Sequence, residues 1–413
     1  MAKLAINGGQ AVRSQPFSQW PCWDDSDKEA LIEVLEKGSW GGYPAPNTFA
    51  GKFAEEFARF TGAQYGVCGA NGSVTLEMAI LAAGIEPGSE IIVPAYTFVA
   101  TASAVVFCHA IPIFVDVDPH TYCIDPQLIE AAITPKTRAI IPVHLACNMA
   151  DMDAIIEIAA KHNLVVIEDC AHAHGARWKG KGAGAIGDFG SFSFQTSKLM
   201  TAGEGGIVLT NDKQYEMRLQ SVANCGRKEP QYEDYEGAIL GKNYRITEWS
   251  AGMLLSQLKK LEQQTLQRIR MAGYFEEKLR GMPGISFTKQ DSRNDRRAIY
   301  QFIVKYDEKE FKNIPRDRFL QALNADGIPA EGDFYVPLYD CEIFPMDKKS
   351  NPLAFLPYAK DYSFESFDCP VTERAAHREA IWLPHYLFLG TEKDMDDIVA
   401  AFTKIGENLD ELA

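Results

Sequence analysis

The sequence predicts an α/β fold, with a large domain on a mostly parallel sheet followed by a smaller α+β C-terminal domain. Three observations predict it. Between about residues 65 and 210, short apolar β-rich runs alternate with helical patterns, and such alternation implies βαβ units around a buried parallel sheet. After Gly206 the texture changes to a charged tract and one long helical region. The remainder mixes strand-like and helical stretches, as a smaller α+β unit would. At 413 residues the chain holds material for two or three domains of ~150 residues each. The boundary is placed near residue 265, giving a large domain over 1–265 and a small one over 266–413.

The strand candidates, in order, are YGVCGA, EIIVPAYTF, IPIFVDV, AIIPVHL, LVVIEDC and GSFSF. Between them SVTLEMAILAAG, DPQLIEAAI and DMDAIIEIAAKHN read as helices, the last opened by Asp151, whose carboxylate can accept from first-turn N–H groups. GGIVLTND reads as a hairpin arm and RKEPQYEDYEGAILGKNYR as a long loop. The stretch from Thr247 to Met282 reads as one helical region with Leu254, Leu258 and Leu261 on a single stripe. Strands around ISFTK and AIYQFIVKY and helices around RDRFLQALNADG and EKDMDDIVAAFTKIGENL complete the smaller domain. No internal repeat or low-complexity segment is visible.

Composition narrows the function. With 46% hydrophobic and 23% charged residues, the chain is of the ordinary globular class. The opening MAKLAINGGQAVR lacks the apolar core of a signal peptide, and no apolar run reaches the ~18 residues needed to cross a bilayer. A cytoplasmic protein without a membrane partner is expected. Nine cysteines, odd in number and never in a CxxC arrangement, argue against a disulfide framework or a structural zinc site. A net charge of -15 without a basic stripe opposes nucleic-acid binding, which leaves a small molecule as the expected partner.

Ligands of an open parallel sheet meet the carboxyl ends of its strands. Asp169 ends the run LVVIED, at such a place, where carboxylates also serve simply to cap the next loop. Lys198 stands in SFSFQTSKLMTAGEGG with no charged residue within five positions on either side. A desolvated lysine can form a Schiff base with an aldehyde, and a solvated surface lysine is the ordinary alternative. Pyridoxal phosphate needs such a lysine together with a carboxylate that keeps its pyridine nitrogen protonated, and Asp169 and Lys198 supply that pair. GANGS, from Gly69 to Ser73, joins a strand to a helix, where free N–H groups and a hydroxyl can receive a phosphate or form an ordinary turn. Neither GxGxxG nor GxxxxGK[ST] occurs there. DCAHAHG offers Asp169, His172 and His174, with His144 elsewhere, as metal ligands; satisfied loop histidines are the plainer reading, and no metal is assigned.

VIEDCAHAHGA, SFSFQTSKLMTAGEGG and NYRITEWSA, in that order, resemble the DegT/StrS-type family of fold-type-I pyridoxal phosphate enzymes, the aminotransferases of ketosugars and ketocyclitols. The resemblance extends from LAINGGQAVR to CPVTERAAHREAIWLPHYLFL. It implies that Lys198 is the Schiff-base lysine and Asp169 the partner of the pyridine nitrogen. Phe98 is implied to stack on one face of the cofactor ring and Ala171 to pack the other, with His172 approaching the ring 3-hydroxyl. Gly72, Ser73 and Ser193 are implied to cradle the phosphate. Asn243 is implied to reach the phosphate from a second subunit, in a homodimer with shared active sites. The implied reaction moves an amino group from glutamate or glutamine to a ketosugar or ketocyclitol.

AHAHGARWKGK and KLMTAGEGG resemble the 3-amino-5-hydroxybenzoate synthase branch, and the N-terminal pattern resembles scyllo-inosose aminotransferases. The alternatives to transamination are therefore a pyridoxal phosphate lyase of the first type, or a non-catalytic cofactor-binding homologue. Related ketosugar 3-dehydratases carry histidine at the lysine position, and Lys198 counts against that subgroup. In EGDFYVPLYD, Phe334 and Tyr335 stand where the family often has histidine, a departure that counts against a nucleotide-sugar acceptor.

Overall fold

Each expected strand run forms a strand in the computed structural model, which describes residues 3–43, 45–227, 239–344 and 367–412. Most of the expected long loop RKEPQYEDYEGAILGKNYR lies outside the described residues. The strands are β1 (Tyr65–Gly69), β2 (Glu90–Pro94), β3 (Ile111–Val115), β4 (Thr137–Ile140), β5 (Val165–Asp169), the short pair β6 (Arg177–Trp178) and β7 (Lys181–Gly182), β8 (Phe189–Ser193), β9 (Gly206–Thr210), β10 (Ile285–Phe287), β11 (Gln301–Tyr306) and β12 (Ala380–Pro384). The helices are α1 (Asp25–Lys37), α2 (Thr48–Thr61), α3 (Gly72–Ala83), α4 (Ala100–Phe107), α5 (Pro126–Ala132), α6 (Met152–His162), α7 (Lys213–Ala223), α8 (Glu248–Leu279), α9 (Arg316–Ala325), α10 (Pro370–Arg374) and α11 (Glu392–Glu407).

Seven strands form one sheet in the order β1-β9-β8-β5-β4-β2-β3. Pairings from β3 across to β8 are parallel, and β9 runs antiparallel between β8 and β1. Both faces are covered, as parallel sheets require. Alternate residues of one strand serve different cores: Val166 packs with Phe53, Phe57 and Phe192, whereas Ile167 packs with Ile80, Val93 and Phe189. By the same alternation Glu168 and Asp169 point to opposite faces.

A second, antiparallel sheet, β10-β11-β12, has its own core of Phe275, Phe302, Phe319 and Phe402. Helix α8 joins the two. Its Leu254, Leu258 and Leu261 pack in the core that holds Val166, while Met271, Phe275 and Leu279 pack in the second sheet's core. The helix is continuous through residue 265, and the N-terminal Leu4 also packs in the second core. We propose the two-domain division with its boundary inside α8 and the N-terminal segment assigned to the smaller unit.

The first turn of α8 also holds α2. Glu248 is completely buried, and its two carboxylate oxygens accept the Phe49 and Ala50 N–H groups at 2.8 Å each, at the end of α2 where N–H groups lack intrahelical partners. Glu248→Ala strands both donors in the interior and is expected to lower stability by about 2–3 kcal/mol, with a smaller loss for Glu248→Gln, as read from denaturant midpoints.

Candidate active site

The last two residues of β5 are buried acids at the sheet's carboxyl edge. Glu168 is completely buried on one face, where it accepts from Gly184 N–H, Ile186 N–H, Gly187 N–H and His144 Nε2 at 2.7–2.9 Å. It fastens the loop before β8. Asp169, on the other face, accepts from Thr101 Oγ1 at 2.8 Å and from the Ala171 N–H at 3.2 Å. Burial pushes its pKa above the ordinary carboxylate value, against the pull of those two donors and of the Lys198 charge. Thr101, on α4, was not anticipated from sequence, because only the fold brings that turn of helix under the end of β5.

Lys198 follows β8 in a turn closed by its own N–H donating to Gln195 O at 2.9 Å. Only 8% of the residue is exposed. Among the described residues no carboxylate pairs with the ammonium; Nζ lies 4.4 Å from the centroid of the Tyr300 ring. Burial pulls the lysine down to about 8, and the charge of Asp169 opposes that fall. A lysine so placed is a usable nucleophile near neutral pH.

Buried histidines surround it, and each can have its tautomer assigned from partners of fixed polarity. His172 Nδ1 accepts the Ala146 N–H at 3.3 Å, so its Nε2–H donates to Tyr335 Oη at 3.0 Å. His174 Nε2–H donates to Ser193 O at 2.8 Å. His144 Nδ1 accepts the Ala150 N–H, and its Nε2–H donates to Glu168. Burial, then the neighbouring Lys198 charge, pulls His172 well down and His174 to about 3, so both rings are neutral. The Asp169, His172 and His174 side chains do not gather as a ligand set. Among the described residues, potential ligand atoms cluster instead as His144, Glu168 and Cys170 and as Asp340, Glu373 and His377.

The remaining expected residues lie around this edge. Gly72 and Ser73 begin α3, capped by Asn71, whose side chain accepts the Val74 N–H. Among the described residues the Gly72 and Ser73 N–H groups have no acceptor, as suits an anion at a helix N-terminus. A Cβ on Gly72 would collide with the Ser193 side chain, so glycine lets α3 approach the end of β8. Phe98 is half exposed, 6.3 Å from the Tyr335 ring, and Ala171 is partly exposed beside Asp169. Asn243 is exposed and forms an isolated antiparallel bridge with the buried Asn224. Tyr335 is buried and Phe334 partly buried against Trp382, and the Tyr335 hydroxyl is the one turned to His172. A cleft of about 890 Å³ lies apart from these residues, lined by Cys22, Trp23, Lys260, Gln263, Gln267 and Arg270 among others.

A helix N-terminus with free donors, a buried carboxylate and a buried amine without an ionic partner match the three needs of pyridoxal phosphate, which are a phosphate cradle, a pyridinium partner and a covalent lysine. A profile of the DegT/DnrJ/EryC1/StrS aminotransferase family matches residues 21–403. The chain belongs to this family. Like other DegT-family aminotransferases, it has the fold-type-I architecture of pyridoxal phosphate enzymes. It is 43% identical, over 100% of its length and 99% of the relative's, to a Streptoalloteichus tenebrarius protein provisionally named L-glutamine:3-amino-2,3-dideoxy-scyllo-inosose aminotransferase. It is 36% identical to the L-glutamine:scyllo-inosose aminotransferase of Streptomyces griseus, over 100% of its own length and 99% of the relative's. Among solved structures it is similar to a 3-amino-5-hydroxybenzoic acid synthase, with a TM-score of 0.82 and 33% identity over 95% of this chain and 99% of the other. No helix among the described residues is long and apolar enough to cross a membrane.

The electrostatics of this DegT-family site can be tested without cofactor. Amine labelling of Lys198 across pH, read by mass spectrometry, is expected to titrate at about 8. Asp169→Asn removes the charge that holds the amine up and is expected to lower that midpoint. A wild-type midpoint in the ordinary lysine range would contradict desolvation as the cause.

Proposed function

We propose that the chain is a pyridoxal phosphate-dependent aminotransferase that moves the amino group of glutamine, or of glutamate, to a ketocyclitol. The observation that carries this reading is Lys198, an amine buried among neutral rings with its pKa drawn down to about 8. The names of the relatives, with L-glutamine and scyllo-inosose as substrates, support the donor and acceptor classes. Absence of the family's histidine at Phe334 and Tyr335 is consistent with an acceptor that carries no nucleotide.

In this reading Gly72, Ser73 and Ser193 would hold the phosphate at the α3 N-terminus, and Lys198 would hold the aldehyde carbon until the donor's amine replaces it and frees Nζ. The bound cofactor supplies an electron sink for the electron pair left at the donor's Cα. Asp169 would keep the pyridine nitrogen protonated, and Thr101 and the Ala171 N–H hold its carboxylate in one orientation. Lys198 Nζ takes and returns the proton at that Cα, which an amine with a pKa of about 8 can do in either direction near neutrality. Phe98 and Ala171 would flank the ring; Asn243, which is exposed, would serve the partner's phosphate. A homodimer is further supported by exposed Trp23, Ile32, Leu35, Trp40 and Tyr43, a concentration of apolar side chains on one N-terminal stretch. We place the protein in the cytoplasm.

Lys198→Ala is expected to abolish turnover, and Gly72→Ala to weaken cofactor binding by about tenfold or more, because the added Cβ displaces Ser193. Transamination near the wild-type rate in Lys198→Ala would remove the lysine from the mechanism. Adding glutamine alone is expected to convert the bound cofactor to its amine form in the absorbance spectrum. The similarity to 3-amino-5-hydroxybenzoic acid synthase favours a lyase as the second reading, which would form an ultraviolet-absorbing aromatic product without any amino donor. A cofactor-binding protein inert in both assays would be the non-catalytic homologue. Mixing inactive Lys198→Ala and Asn243→Ala proteins is expected to restore activity through hybrid dimers with one intact site; no recovery would separate Asn243 from the partner's site.

A further inference from the structure

The turn that presents Lys198 is fastened from outside the sheet that carries it. Trp20 Nε1–H donates to Thr196 O at 2.8 Å, and His385 Nε2 lies 3.0 Å from Ser197 O. Ser197 Oγ donates to Gln195 Oε1 at 2.7 Å and therefore accepts from the Tyr300 hydroxyl at 2.9 Å. Trp20 belongs to the N-terminal segment, while Tyr300 and His385 flank the strands β11 and β12 of the second sheet.

Behind His385 stands Arg268, on α8. It is 1% exposed, its Nη2 lies 3.2 Å from His385 Nδ1, and its guanidinium carbon is 5.2 Å from the Trp20 ring. Among the described residues it has no carboxylate partner, and its Nε and Nη1 have no hydrogen-bond acceptor. A buried guanidinium without an anion is costly, and apolar packing at this position would be met by methionine. Its polar contact is the imidazole. An arginine can only donate and a carbonyl can only accept, so the two partners of His385 impose the same state: neutral, with Nδ1 bare and the proton on Nε2. Burial and the adjacent Arg268 also pull His385 well below the ordinary histidine value.

We propose that Arg268 is a positioning residue for Lys198, fixing His385 in the tautomer that grips the carbonyl of the residue before the lysine. This rests on Lys198 being the reacting amine. A methionine in its place has no N–H to offer the imidazole's bare nitrogen and so could not choose its tautomer. The consequence is that the second domain's core and the N-terminal segment together set where the amine stands.

The test compares Arg268→Met, His385→Leu and His385→Gln, the last of which retains one acceptor and one N–H donor. Arg268→Met and His385→Leu are expected to lower kcat by about tenfold or more while leaving KM for glutamine within about twofold, with His385→Gln recovering most of the rate. In the cofactor-free proteins, hydrogen exchange over residues 195–198 is expected to speed up in the two disruptive variants while the main sheet keeps its protection. Wild-type kcat and wild-type exchange at 195–198 in Arg268→Met would overturn the proposal, as would loosening spread evenly over the chain. Should Arg268→Met fail to fold, equal rates for His385→Leu and His385→Gln overturn it and a clear gap supports it. If the chain proves not to be an aminotransferase, the exchange measurement still decides whether the tether exists.

Discussion

Keeping one amine and one carboxylate out of water at the edge of a parallel sheet is the constraint on which the rest of the structure depends. Desolvation alone would neutralise both groups, and it moves each in that direction: Asp169 upward and Lys198 down to about 8. The structure stops short of full neutralisation by giving Asp169 two directed donors, Thr101 and the Ala171 N–H, and by leaving Lys198 only a ring face and a through-space carboxylate. The asymmetry is chemically useful. A directly paired lysine would stay protonated and be a poor nucleophile, whereas a carboxylate without donors would lose its charge.

The same constraint accounts for the histidines. Four of them, His144, His172, His174 and His385, lie buried near the strand ends, where a second cation would repel Lys198. Each has Nε2 facing an acceptor, and for three of them a donor also faces Nδ1, so the neutral ring satisfies its surroundings and the imidazolium would not. The rings thus give the site polarity without charge. His172 spends both nitrogens in this way, which turns the Tyr335 hydroxyl, rather than the imidazole, into the group left free to donate.

Much of this was legible in the chain. The alternation of apolar runs with helices was enough to place β1 to β5 and β8, because a strand buried on both faces has a continuous apolar signature. Lys198 and Asp169 could be singled out because a lone lysine among small residues and an acid closing an apolar strand are locally anomalous. The partners of these two residues were not legible. Tyr300 and His385 reach Ser197 from 103 and 188 residues away, and nothing near either in sequence marks it as a neighbour of the lysine. Helices α1 and α2 were missed although local signals mark both: α1 opens on a capping box at Asp24, and α2 buries Phe49, Phe53 and Phe57 along one face. The division near residue 265 fell inside α8, since a helix that serves two cores carries no break where one ends.

That shared helix bears on how the site works. Glu248, in its first turn, is tied to α2, and Arg268, about five and a half turns on, is tied to the imidazole that grips the Lys198 turn. The lysine is thus fixed from two directions, one of them through this helix. Its own strand, β8, supplies the forward connection, and α8 supplies the rear one through His385. A displacement of the second sheet relative to the first cannot leave the amine where it was, because His385 and Tyr300 move with that sheet and the Ser197 carbonyl and hydroxyl follow them. The position of the Lys198 amine is therefore a property of both cores rather than of the strand that bears it, and packing in either one can shift it.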